Sequence, residues 1–178
     1  MPAIRSENRV KTELYVSLNE KAKDIHEETN HCAVIALAAV AGLDYELAHA
    51  ALAFEGRKTG EATHFSMIEA ALEKLGYKLE DQNIRSFIER YHGFHADVLK
   101  NVTTHHPERF PAVWKDGQNY LFFTTKHVAA IVDGVNHDWT KGTAKRVKSI
   151  YRVVAIETEQ PAPKKKATPR AKKVTAEV

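Results

Sequence analysis

The sequence predicts an α+β domain, helices first and an antiparallel sheet second. Three observations carry this. An unbroken apolar stretch from Ala33 to Ala41 stands between polar capping candidates and a glycine. Apolar residues then recur at helical spacing as far as Leu75. From Phe110 onward the pattern changes to short apolar runs punctuated by two Asp-Gly pairs, Asp116-Gly117 and Asp133-Gly134. Helical and strand patterns that are segregated along a chain indicate α+β rather than an alternating parallel sheet.

The elements follow in order. Residues 1–11 are polar and expected to be flexible. Thr12-Glu13-Leu14-Tyr15-Val16 reads as a short edge strand, and Asn19 to Asn30 as a polar loop. His31 to Ala41 reads as a helix with Thr29 or Asn30 as N-cap and Gly42 as its stop. It is apolar on every face, which implies burial on all sides. A second helix follows Asp44, from Tyr45 to Phe54. A third follows Thr63 and runs through Met67, Ile68, Ala71, Leu72 and Leu75 to Gly76. Ile84 to Tyr91 is a shorter helical candidate, and His92 to Arg109 is a polar, His-rich stretch without a clear period.

The strand region comprises Pro111–Lys115, Tyr120–Thr124, His127–Val132, Val135–Trp139 and Arg146–Ile156. An Asp-Gly pair between apolar runs is a strong hairpin signal, because both central residues of a type I′ turn need positive φ. Trp114 and Trp139, with Phe122 and Phe123, are expected in the sheet core. The domain is expected to span 12–157. The tail, 158–178, rich in Lys, Pro and Ala, lacks the apolar surface to fold and is expected to be disordered.

Composition narrows the class. Hydrophobic residues make up 43% of the 178 and charged residues 28%, as in ordinary soluble domains. No apolar run approaches the ~20 residues of a membrane span, and the N-terminus lacks a secretory pattern. A single cysteine forms no internal disulfide, so a reducing cytoplasm is the expected compartment. The net charge is +3. Of the 26 Lys and Arg, six lie after Gln160, against one of the 23 acids, which leaves the body with 20 basic and 22 acidic residues. The basicity belongs to the tail. It offers weak charge-driven contact with nucleic acid or an acidic protein, while the body gives no electrostatic reason to expect nucleic acid.

Cys32 is the residue with the most chemistry. Thiolate is the reactive form of cysteine, and a helix N-terminus stabilises it through unpaired N–H groups and the macrodipole. Cys32 sits in the first turn of the buried helix. Its own backbone N–H can donate to a developing oxyanion, with His26, Thr29 and Asn30 upstream as second donors. The competing reading of a lone cysteine is a small core residue.

The hairpin weighs against that reading. A two-residue Asp133-Gly134 turn sets Val132 opposite Val135 and Asp138 opposite Ala129, so His127 and Asp138 become diagonal neighbours, with Cα atoms roughly 7–8 Å apart. Asn136 lies one step further away and is the reserve partner; His137 points to the other face. A histidine held by a carboxylate is the second half of a nucleophile–base–orienter arrangement.

Asn30-His31-Cys32-Ala33-Val34-Ile35-Ala36-Leu37, then His127-Val128-Ala129-Ala130-Ile131-Val132 and Asp138-Trp139, resembles the papain-like cysteine peptidase superfamily. Within it, the chain is most similar to the compact bacteriocin-processing (C39-like) type and to small bacteriophage papain-fold proteins. The resemblance spans about residues 26–156. It implies a Cys-bearing helix packed on an antiparallel sheet, with Cys32 as nucleophile, His127 as base and Asp138 as orienter. It also implies a peptide or protein substrate, no cofactor, and a phage or bacterial source, hence host cytoplasm or virion. The family's usual oxyanion donor, a glutamine about six residues before the cysteine, is replaced here by His26. A catalytically silent papain-fold binding or virion-associated protein fits the same resemblance.

Two further readings come from other classes. Ala36 to Gly60 has the layout of a helix-turn-helix, which with the basic tail suggests DNA binding. Its second helix begins Asp44-Tyr45-Glu46, which phosphates would repel. His92 and His95, the pair His105-His106, and His137 could supply zinc ligands, but no Cys pair or His-Glu-x-x-His pattern accompanies them.

Overall fold

The chain enters its first helix at Thr12, whose Oγ1 accepts a hydrogen bond from the Tyr15 N–H at 3.2 Å. Helix α1, Glu13–His26, follows. The computed structural model describes residues 12–82, 116–138 and 147–156. Expectations for 1–11, Ile84–Tyr91, His92–Arg109, Pro111–Lys115, Trp139, Arg146 and the tail fall outside them.

Helix α1 replaces the expected edge strand and polar loop. Leu14-Tyr15-Val16 has strand-like residues, but the buried positions are Tyr15, Leu18 and Ala22. Those lie at i, i+3 and i+7, one face of a helix. The Thr12 cap and the spacing of that face outweigh the local β-propensity.

Helix α2, Cys32–Ala41, buries every residue from Ala33 to Val40. It ends at Gly42 in the left-handed region, φ 63°, where the cap N–H reaches the Ala38 carbonyl. The N-cap is His31 rather than Thr29 or Asn30, and it makes no side-chain cap bond. Helices α3, Tyr45–Phe54, and α4, Phe65–Lys74, follow. His64, not Thr63, is the cap position of α4, because the Thr63 hydroxyl accepts from Arg57 Nε.

Strand β1, Tyr77–Gln82, alternates only over Tyr77-Lys78-Leu79-Glu80 before turning polar, and is missing from the sequence reading. It forms because the last strand supplies its partners, from Tyr77↔Ala155 to Gln82↔Ile150. Strands β2, Asn119–Phe123, β3, Val128–Val132, β4, Val135–His137, and β5, Ser149–Ala155, complete the sheet. The order is β1-β5-β2-β3-β4, with every neighbouring pair antiparallel.

The two Asp-Gly pairs behave differently. Asp133 and Gly134 have φ of 49° and 76°, as a type I′ turn requires. The pairing is Val132↔Val135, Ile131↔Asn136 and Ala130↔His137. At Asp116-Gly117 only the glycine has positive φ. Asp116 Oδ1 accepts from the Gln118 N–H, which leads the chain into β2.

Helix α2 is the centre of the helical layer and packs on β3, α1 and α3. Val128 and Ala130 of β3 join Ala33, Val34 and Leu37 in one apolar core. Tyr120, Phe122, Ala129, Ile131, Val147 and Ile150 form a second cluster. No single helix among the described residues is long and apolar enough to cross a membrane.

Candidate active site

The segment ahead of Cys32 is held by a buried acid. Glu28 follows the left-handed residue Glu27, φ 46°, and its side chain is fully shielded from solvent. Its carboxylate accepts from the Arg57 guanidinium, from the Tyr45 hydroxyl at 2.7 Å and from the Gly60 N–H at 2.8 Å. Arg57 also donates to the Asn30 carbonyl at 2.9 Å. Burial opposes the charge on Glu28, but the Gly60 N–H, Arg57 and Tyr45 outweigh it and hold the carboxyl below its ordinary value. The network ties the loop after α3 to residues 28–30 and so fixes where α2 begins.

At that helix start Cys32 is half-buried, and it shares the lining of two cavities with His127. Burial pushes the thiol up. The His127 bond, the Val128 N–H, the His127 charge and the Ala33 N–H outweigh burial and hold it below the usual thiol value. His127 Nε2 lies 2.9 Å from both Asp138 carboxylate oxygens. Burial disfavours the imidazolium, yet the bonds to Asp138 and then Cys32 push His127 up to about 9. Opposite shifts on thiol and imidazole favour a thiolate–imidazolium pair backed by a buried carboxylate.

The backbone explains this meeting. Thr124 N–H bonds to the His127 carbonyl at 2.8 Å, closing the β2–β3 turn and setting His127 just ahead of β3. Strand β3 lies against α2, which brings the Val128 N–H to the Cys32 sulfur. One step past β4, Asp138 is 4% exposed. Asn136 takes no part: its Oδ1 is buried without a hydrogen-bond partner among the described residues.

The oxyanion-donor candidates separate. His26 is not at the Cys32 mouth. Its ring stacks on His49 with centroids 4.3 Å apart and lies 5.5 Å from Tyr45. The extra helix α1 carries it away, since a helix advances ~1.5 Å per residue and turns side chains by about 100°. Asn30 borders the site, but its Nδ2 donates to the Gly60 carbonyl at 2.7 Å. Thr29 lines the same polar cavity as Cys32.

Asn19, unmarked in the sequence reading, lines that cavity with Cys32 and His127. Its Oδ1 accepts from the Tyr15 hydroxyl at 3.1 Å and faces His31 Nε2 at 3.0 Å. His31 Nδ1 lies 2.8 Å from the Glu28 carbonyl. Burial, then the charges of Asp138 and Cys32, push Tyr15 up to about 12, so it stays a hydroxyl beside them. The signal for Asn19 was the Tyr15/Asn19 spacing of one helical turn, invisible once the segment was read as strand and loop.

Two cavities flank the thiol. The larger, about 540 Å³, runs between α4 and the β2–β3 turn. The other, about 370 Å³, lies against α1. The solvent face of α3 presents Glu46, Leu47 and Phe54, while Arg57 beyond it is buried on Glu28. His137 Nδ1 is 2.8 Å from Thr12 Oγ1, and no group of three metal-ligating side chains exists among the described residues. The other histidines weighed for zinc fall outside those residues.

Compared with known proteins, the chain matches no family model, no curated protein and no solved structure.

Proposed function

We propose that this chain is a cysteine hydrolase of the peptidase or amidase type, papain-like in its arrangement, working by acyl transfer. The observation that carries the reading is the placing of Cys32 and His127 in the lining of the same two cavities, with the Asp138 carboxylate 2.9 Å behind the ring, the thiol lowered and the imidazole raised.

The reaction follows from that arrangement. Cys32 Sγ bonds to the substrate carbonyl carbon and the carbonyl oxygen takes up negative charge. The Cys32 backbone N–H, free at the helix start, and Asn19 Nδ2 are the donors suited to that oxygen. As the tetrahedral adduct collapses, the carbon–nitrogen bond breaks and His127 gives its proton to the leaving amine. Water then attacks the thioester and returns a proton to His127. The carboxylic acid product leaves and the thiolate is restored. Asp138 keeps the ring oriented and stabilises its cationic form.

An acyl donor that needs no recognition tests this. With p-nitrophenyl acetate, wild-type protein is expected to release nitrophenolate in a burst and to carry an acetyl group on Cys32 by mass spectrometry. Cys32→Ala abolishes both, and His127→Ala slows acylation by about 10²-fold or more. A wild-type protein that acylates no faster than an unfolded control would overturn the reading.

A further inference from the structure

We infer that the substrate is a peptide bearing a bulky apolar side chain on one side of the scissile bond and an acidic side chain on the other. This rests on the hydrolase reading above and assigns the substrate class for that site.

The two cavities meet at the reacting atoms, since Cys32 and His127 line both. A chain laid across the thiol therefore places groups in each. The walls differ in chemistry. On the α4 side, Ala33, Phe65, Ile68, Phe123 and Val128 form an apolar wall. The Phe65 ring is propped by Phe123 at 5.4 Å and Tyr151 at 4.9 Å, and Phe123 meets Tyr151 edge-on at 5.6 Å. An aromatic ring held by two others but still 36% exposed presents a pre-formed face for an apolar side chain.

The α1 side is lined by Lys23, by Lys126, which stands between the two cavities and borders both, and by no carboxylate. Neither lysine has an ion-pair partner among the described residues. Elsewhere Lys21 pairs with Asp44 at 2.9 Å and Lys74 with Glu55 at 2.6 Å. Two unpaired cations bordering one polar cavity, with the Thr29 hydroxyl, suit a carboxylate. In an extended peptide successive side chains alternate at ~3.3 Å per residue, so both groups lie within a few residues of the cleaved bond.

Binding and turnover are read separately. Full-length Cys32→Ala protein is immobilised and exposed to an end-blocked random peptide mixture, and retained peptides are sequenced by mass spectrometry. Peptides pairing Phe, Tyr or Leu with Asp or Glu a few residues away are expected to be enriched about tenfold over lysine-bearing counterparts. Adding Lys23→Glu and Lys126→Glu is expected to reverse the charge preference while keeping the apolar one. No enrichment of such peptides, or a preference unmoved by the charge reversals, overturns the inference. Wild-type protein given the same mixture reports on the hydrolase reading. Cleavage without the preference removes the substrate class and leaves the hydrolase. Retention without cleavage leaves the ligand class and removes the hydrolase.

Discussion

His127 Nε2 sits 2.9 Å from each carboxylate oxygen of Asp138, across the β3–β4 hairpin. The type I′ turn at Asp133-Gly134 places them there. Asp138 is almost wholly buried, and the His127 ring lines the same cavities as Cys32. The carboxylate therefore decides whether the base carries a proton.

That control should appear in the pH profile. Activity needs the thiolate, which forms below the ordinary thiol pKa, and the imidazolium, which persists to about 9. As pH rises, the rate climbs while Cys32 ionises and falls as His127 loses its proton. A bell-shaped kcat/KM with its falling limb near pH 9 is expected. Asp138→Asn removes the charge that holds the proton, so the falling limb moves to lower pH and kcat drops by about 10²-fold or more. An unchanged falling limb would detach Asp138 from the base.

Iodoacetamide at pH 6.5 reports on the thiolate without needing a substrate. Cys32 in the wild type is expected to alkylate faster than a free thiol, and His127→Ala to slow it about tenfold or more, since the imidazole bond and charge both lower the thiol. Labelling that appears only on unfolding would return Cys32 to the core.

On the proposed mechanism Asn19→Ala removes an amide donor from the cavity that Cys32 and His127 line. A fall in kcat of about 10²–10³-fold with KM little changed is expected. Asn19→Gln should recover part of it, because the amide is retained on a longer arm. A loss confined to KM would make Asn19 a substrate-binding group only.

Glu28→Ala leaves Arg57 buried without its counter-charge, and a loss of about 3–5 kcal/mol is expected in urea unfolding. The Glu28 carboxyl is lowered in the folded state. Its contribution is therefore present above the unfolded carboxylate pKa and is lost as pH falls through the folded value. The wild type should lose stability in acid more steeply than Glu28→Gln. Equal acid sensitivity would mean other carboxylates carry the transition.

Gly134 has φ 76° at the second turn position. Gly134→Ala forces a side chain into the left-handed region, at a cost of about 1 kcal/mol. It should also slow Cys32 alkylation if the hairpin holds His127 in place. Two-state unfolding and labelling of the same sample check both.

Residues that act through local geometry were legible in the sequence. Gly42 stops α2 because its left-handed backbone closes the helix, and Asp133-Gly134 sets a register that runs unbroken to Ala130↔His137. Both depend on a few adjacent residues. The failures were non-local. Helix α1 was hidden because Leu14-Tyr15-Val16 has strand propensity, while its helical face is defined only by what Tyr15, Leu18 and Ala22 pack against. Strand β1 has only Tyr77 and Leu79 as an apolar face, too short a period to read alone, and pairs along its whole length with β5.

The site divides in the same way. The sequence by itself determined Cys32 at a helix start and His127 beside Asp138, since helix stops and hairpin turns are short-range and sterically strict. Only the tertiary structure decided that the helix and hairpin meet. That depends on α2 packing against β3, which brings the Val128 N–H and the His127 ring to one sulfur atom. It also took His26 away to stack on His49 and brought Asn19 to the cavity that Cys32 lines, because α1 is a helix whose Tyr15, Leu18 and Ala22 face packs into the core.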